Sequence, residues 1–304
     1  MLRWIGFTCL GLLGIVIVVV AVLAVRFVSW RGEVERRLVQ RSIVVQTAAG
    51  RVEYAEVGSG VPVLMLHGTP GGYDTILNLV EATDSMGQGL RVIAPSRPGY
   101  LRTPLESGAT PEQQARLYAA LLDKLGVAKV FVMGASGGGP SAMQFAMQYP
   151  ERCAGLVLEA AVTHKIVVQQ RSFPPLLQDF LLSVFRESAA RDLQASDPTD
   201  PNLTKLGHGL FDSLIPSAPR AVGLANDLEQ YSRIGDWDLG KIRCPTLIIQ
   251  GTADTDVPPS HAEFAHAKIV NSELMTLDGV DHSMFFKKYR VLGDALHAFI
   301  ARHP

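Results

Sequence analysis

The chain has 304 residues, 47% of them hydrophobic, and a formal net charge of -1. That length and apolar content suit one large α/β domain with a sizeable core, and the near-neutral balance excludes the basic field that a nucleic-acid binder needs. No tandem repeat, low-complexity linker or block of like charges divides the middle of the chain.

The first element is apolar. Trp4 to Val25 is a stretch of about 22 residues without a charge, long enough as a helix to cross roughly 30 Å of hydrocarbon. A cleaved signal peptide is the rival reading, with Val22 and Ala24 small enough for a processing site, but signal h-regions run only about 7 to 15 residues. Residues 1–41 are therefore expected to form a single-pass membrane anchor and its juxtamembrane segment. Arg26, Arg31, Arg36, Arg37 and Arg41 follow the span, whereas Arg3 and the amino terminus precede it, so the positive-inside rule puts the rest of the chain on the cytoplasmic side. Cys9 lies inside the span. Cys153 and Cys244 each sit just before an apolar run and read as buried free thiols.

After the anchor the pattern alternates. "SIVVQTA" and "RVEYAEV", separated by "AG", predict a β-hairpin, and "PVLML", "RVIAP", "KVFVM", "GLVLEA", "TLIIQ" and "ELMTL" follow as short runs of buried-strand length. Helical stretches lie between most of them. "TPEQQARLYAALLDKLGV" places Thr110 as N-cap before Pro111 and stops at Gly126. Strand and helix in alternation predict a mostly parallel sheet covered on both faces, in which ligands collect beyond the carboxyl ends of the strands.

Four loops after strands carry uncommon residues. "LMLHGTPGG" follows Val63 to Leu66, and its glycines and proline bend the chain sharply. In the second, "KVFVM" is a strand, "GGGPSAMQFAMQYP" opens a helix, and "GAS" lies between, giving G-x-S-x-G as Gly134, Ser136 and Gly138. A sharp strand-to-helix turn forces its central residue into a strained backbone conformation, and tiny flanking residues let strand and helix approach. The same residues also suit an N-cap serine in a tight turn. A serine hydroxyl becomes a nucleophile only with a base to take its proton and a third group to orient that base.

The third and fourth loops supply both. "PTLIIQGTADTDVPP" puts Asp254 in the loop after one strand, and "LMTLDGVDHSMFF" puts His282 in the loop after the next. Ser136, Asp254 and His282 thus stand in the order nucleophile, acid, base at three strand ends. Asp256 and, more weakly, Glu159 are alternative acids, while Asp281 reads as a turn residue. The backbone N–H groups of Thr69 and Gly137 are assigned as donors to a tetrahedral oxyanion, with His67 bracing the first loop. His164, His208, His261 and His266 form no metal-ligand spacing, so no metal or cofactor is expected.

Taken in order, "HGTPGG", "SRPGYLRT", "GASGGG", "GTADTDVP" and "GVDHS" resemble the α/β-hydrolase superfamily of the lidded type, over roughly Ser42 to the C-terminus. The resemblance implies an eight-stranded, mostly parallel sheet with helices on both faces, and a helical cap inserted at about 163–236 of the domain 42–304. It also carries nucleophile, acid and base onto Ser136, Asp254 and His282, and the oxyanion donors onto Thr69 and Gly137. A serine at the elbow, where haloalkane dehalogenases and epoxide hydrolases carry aspartate, argues against those two chemistries. In the cap, Phe173, Leu177, Phe180, Leu181 and Phe211 either line an apolar pocket or, for most of them, pack the cap onto the core. Arg97, Tyr100 and Arg102 either reach that pocket to hold a carboxylate or brace their own loop. The expected activity is serine hydrolysis of small or lipophilic carboxylic esters at a membrane. A C–C bond hydrolase acting on ring-cleavage diketones and a catalytically silent binding module are the alternatives.

Overall fold

The computed structural model describes residues 2–83, 86–169 and 173–304 and opens with one long helix, α1 (Leu2–Gln40). The stretch expected to be anchor and juxtamembrane segment is thus a single helix. Its two halves differ in what they meet. From Leu13 to Val25 the large apolar side chains are exposed, with Leu23 half-buried, whereas Phe27 and Val34 are buried against the rest of the chain.

A hairpin follows, β1 (Ile43–Thr47) and β2 (Gly50–Val57), then β3 (Val61–Leu66), α2 (Tyr73–Ala82), β4 (Leu90–Pro95) and α3 (Pro111–Lys124). Next come β5 (Val130–Ala135), α4 (Gly139–Gln148) and β6 (Cys153–Glu159). Three helices, α5 (Pro175–Ser196), α6 (Leu203–Asp212) and α7 (Ala221–Arg233), fill the stretch expected to be a cap. The chain ends with β7 (Thr246–Gly251), α8 (Ser260–Lys268), β8 (Ser272–Leu277), the short α9 (Met284–Lys287) and α10 (Tyr289–Arg302).

The eight strands lie in the order β1-β2-β4-β3-β5-β6-β7-β8, and only the pairings that β2 makes are antiparallel. Side-chain alternation sorts the core into two layers. Leu64, Leu66, Val132 and Ile248 pack beneath α3, α4 and α8, whereas Val63, Met65, Met133 and Ile249 pack beneath α2 and α10. Each such side chain contributes about 1.5–3 kcal/mol when fully buried, so the strands need apolar residues on both faces. The exception is β8, an edge strand whose residues are only partly covered. Its apolar run had predicted a buried strand. At α3 the predicted N-cap is present: Thr110 Oγ1 accepts from the Gln113 N–H at 3.3 Å, and the Gln113 side chain accepts from the Thr110 N–H at 3.2 Å. Cys153 and Cys244 are buried free thiols with their sulfurs 3.4 Å apart.

The cap is tied to α1 as well as to the core. Phe27 meets Phe180 edge to face at 5.6 Å between centroids, Arg31 pairs with Asp179 at 3.5 Å, and Trp30 Nε1 and Arg37 both donate to Asp212 at 2.7 and 2.8 Å. Arg41 completes the series on Glu81. Three of the arginines read as topology signals therefore also hold the helix to the domain.

Candidate active site

Ser136 stands between β5 and α4 with φ of +48°, the left-handed region that costs a side-chain-bearing residue about 1–3 kcal/mol. The turn persists because its neighbours carry no side chains: a Cβ on Gly134 would lie 2.7 Å from Ala142 Cβ, and one on Gly138 would strike the Leu66 carbonyl. The hydroxyl is thereby lifted off the sheet edge.

His282, in the turn after β8, reaches back to it. Its Nε2 lies 3.0 Å from Ser136 Oγ, and its Nδ1 lies 2.7 Å from Asp254 Oδ2. Asp254 is itself fixed: Oδ1 accepts from the Asp256 and Val257 amides at 3.0 and 2.9 Å, and Oδ2 accepts from Gln250 Nε2 at 3.2 Å. Burial pushes the Asp254 carboxyl up, but the His282 ring and the two amides outweigh it and hold the group below its ordinary value. An ionised carboxylate on Nδ1 fixes the tautomer that leaves Nε2 free to accept the serine proton.

The alternative acids lie elsewhere. Asp256 lines the cleft without touching the ring's Nδ1. Asp281 is tied into its own turn by the Ser283 side chain and by Lys287 at 3.1 Å, and these contacts bring its carboxyl down to about 2. Glu159 ends β6 beside Ala135 in register, buried, with neither carboxyl oxygen hydrogen-bonded, and desolvation raises it to about 8.

The loop after β3 runs against the serine. A Cβ on Gly68 would lie 3.2 Å from Ser136 Cβ, and any side chain on Gly137 would collide with Thr69 and the Tyr231 hydroxyl. Thr69, Gly137 and Ser136 thus share one wall of the cleft. His67 is fully buried; its Nδ1 donates to the Gly68 carbonyl at 2.7 Å and its Nε2 accepts from the Arg97 amide at 3.0 Å. Burial and the neighbouring Arg97 charge hold this imidazole well below its ordinary value, in the neutral form those two bonds require.

Arg97, Tyr100 and Arg102 are bracing residues. Arg97 is 1% exposed, and its guanidinium bonds Asp227 of α7 through Nη1 at 2.8 Å and Nη2 at 2.5 Å. Tyr100 donates to the same carboxylate at 2.5 Å, while Arg102 Nε donates to Glu53 at 2.6 Å. Asp227 and Tyr231 carried no recognisable motif, although their spacing of four on one helix places them on a single face.

Two apolar cavities of about 340 and 300 Å³ meet at Ser136 and His282. Val162, Ile166, Leu228 and Tyr231 line one; Ile76, Leu79, Leu210, Leu214 and Phe285 line the other. The cap aromatics offered as pocket residues are not among them. Phe180 faces α1, and Phe173 and Leu177 are 53% and 44% exposed, because α5 lies on the outside of the cap with α6 and α7 turned to the cleft. Among the described lining residues of both cavities there is no lysine or arginine.

A family model for the alpha/beta hydrolase fold matches residues 61–289. The chain belongs to the alpha/beta hydrolase family. The hydrolase is 35% identical to an alpha/beta hydrolase fold protein from Nakamurella multipartita, with a TM-score of 0.76 over 84% of this chain and 99% of that one. It is 31% identical over 262 residues to the uncharacterized hydrolase YcgS of Bacillus subtilis, which covers 79% of this chain and 90% of that protein. It is also 37% identical over 233 residues to a 2-hydroxy-6-oxononadienedioate/2-hydroxy-6-oxononatrienedioate hydrolase of Burkholderia vietnamiensis, covering 68% of this chain and 76% of that protein.

Proposed function

We propose that the hydrolase cleaves carboxylic esters of small or lipophilic substrates through an acyl-enzyme on Ser136, and that α1 holds it in a membrane. The observation carrying this reading is the relay in which Ser136 Oγ, His282 and Asp254 stand 3.0 and 2.7 Å apart where two apolar cavities meet. His282 Nε2 takes the proton of Ser136 as Oγ attacks the ester carbonyl carbon, and returns it to the departing alkoxide. The Thr69 and Gly137 amides receive the oxyanion, and a water deprotonated by His282 then releases the acid and restores the serine. No cofactor enters these steps.

Against C–C hydrolysis stands the charge of the cleft. The dioate in the Burkholderia relative's name denotes two carboxylates, which call for a cation, whereas Arg97 is committed to Asp227 and Arg220 of the cap donates to Asp74 at 2.8 and 3.1 Å. Arg171 lies outside the described residues. Asp256 adds a negative charge to both cavities. A silent module would have no use for a strained serine already paired with an oriented imidazole.

For the membrane, support comes from the helix Leu13–Gln40, whose apolar window has a mean hydropathy of 2.5 and is 6% buried. The arginines after it favour a cytoplasmic domain.

The test sets a chain-length series of p-nitrophenyl esters beside a ring-cleavage diketone acid. The reading predicts ester turnover at least 100-fold above diketone turnover, lost in Ser136→Ala; the reverse preference would replace ester with C–C cleavage. Turnover of vesicle-borne esters should drop at least tenfold when residues 1–25 are removed, and equal rates would reject the role of the anchor.

A further inference from the structure

The oxyanion loop is held from outside its own domain layer. Thr69 Oγ1 donates to Asp227 Oδ2 at 2.5 Å, lies 2.6 Å from the Tyr231 hydroxyl and accepts from Arg97 Nη2 at 2.9 Å. The Tyr231 hydroxyl also stands 3.1 Å from the Gly137 carbonyl. Asp227 and Tyr231 both belong to α7, so one face of a single cap helix grips both residues assigned to the oxyanion.

Proton accounting constrains the direction of these bonds. The Asp227 carboxylate accepts two bonds from Arg97, one from Tyr100 and one from Thr69, three of the four on Oδ2. With its proton committed to Asp227, Thr69 can only accept from Tyr231, whose single proton is shared between Thr69 Oγ1 at 2.6 Å and the Gly137 carbonyl at 3.1 Å. The result is a directed chain from Tyr231 through Thr69 to Asp227, with the charge balanced by Arg97. Arg97 itself is keyed to the oxyanion loop, donating from Nε to the His67 carbonyl at 2.9 Å and from Nη2 to the Gly68 carbonyl at 3.1 Å. Undocking α7 removes two of the three polar partners of Thr69 Oγ1 and leaves Arg97 buried without its counter-charge.

We propose that Asp227 and Tyr231 are positioning residues that hold the Thr69 and Gly137 amides in register, so that the hydrolase is catalytically competent only while its cap is docked. This rests on the acyl-enzyme reading above. The role lies in the transition state: a variant that loses only the Tyr231–Thr69 bond keeps the cavity walls that bind substrate, but the oxyanion finds aligned donors only when α7 is seated. A one-ångström misplacement of such donors is enough to cost about 100-fold.

The experiment measures kcat and KM for a p-nitrophenyl ester, and the rate of phosphonylation by a fluorophosphonate, in Tyr231→Phe, Thr69→Val, their double variant and Thr69→Ser, with thermal melts of each. Tyr231→Phe and Thr69→Val should each lower kcat and the phosphonylation rate by about 10- to 100-fold with KM within threefold. The double variant should fall short of the product of the two, because both act on one chain. Thr69→Ser, which keeps the hydroxyl, should stay within threefold of wild type. Folded Tyr231→Phe and Thr69→Val proteins with kcat within twofold of wild type, losses confined to KM, fully multiplicative effects, or Thr69→Ser falling as far as Thr69→Val would each overturn the proposal. A wild-type protein that neither hydrolyses esters nor takes up the phosphonate would instead overturn the acyl-enzyme reading, and the coupling with it.

Discussion

Asp254 and Glu159 are buried acids at the carboxyl ends of neighbouring strands, yet their surroundings drive them apart. Asp254 meets four donors, from two amides, Gln250 and His282, and is held ionised. Glu159 meets none and is raised to about 8 by burial. Strand-end position is therefore not what makes an acid useful to the histidine. What decides it is whether the loop beyond the strand turns backbone donors toward the carboxylate, as "GTADTDVP" does after β7 and the chain after β6 does not.

Substitutions at the two acids sharpen that contrast. Asp254→Asn keeps the shape but offers an amide donor to Nδ1 and disfavours the productive tautomer, so kcat for ester hydrolysis should fall by about 10⁴-fold. A loss below tenfold would mean that another acid serves His282. Glu159→Gln should leave kcat within threefold and act on stability instead. In the wild type the folded state keeps the Glu159 proton that the unfolded chain loses above its ordinary carboxyl value of 4.5, so stability falls as pH rises from there to about 8. Denaturant unfolding at pH 8.5 should find the glutamine variant more stable by roughly 3–5 kcal/mol, with little difference at pH 4. Parallel pH profiles for the two proteins would contradict a neutral buried Glu159. The smallest effect is expected at Gln250, one of the four donors: Gln250→Ala should cost about 1 kcal/mol in kcat/KM, near fivefold, measured against an unchanged KM.

The sequence carried a good deal of this arrangement, because the elbow, the acid and the base each sit in a loop whose strand is marked by an apolar run and whose turn is marked by glycine or proline. Gly134, Gly138 and the strand before them fixed the place of Ser136, and the two following strand ends pointed to Asp254 and His282. The hairpin and the Thr110 N-cap were legible for the same local reasons. The grip of α7 on Thr69 was not, since Asp227 and Tyr231 lie about 160 residues from their partner and look like any polar positions of an amphipathic helix. Which neighbour the cap's apolar residues meet was not legible either, because apolarity in a helix reports that a face is covered or available, not what covers it: Phe180 meets α1, and Phe173 and Leu177 meet solvent. Likewise the run of arginines after the apolar span reads as a topology signal, while Asp179, Asp212 and Glu81, which bind three of them, are scattered along the chain.

The central claim is that Ser136 is an activated nucleophile driven by His282. Full-length protein exposed to a fluorophosphonate and analysed by peptide mass spectrometry tests it most directly, with Ser136→Ala and His282→Ala alongside. The account predicts one adduct, on the peptide containing Ser136, absent from the serine variant and formed at least 100-fold more slowly in the histidine variant. An adduct on another residue, or equal labelling in the histidine variant, would contradict it.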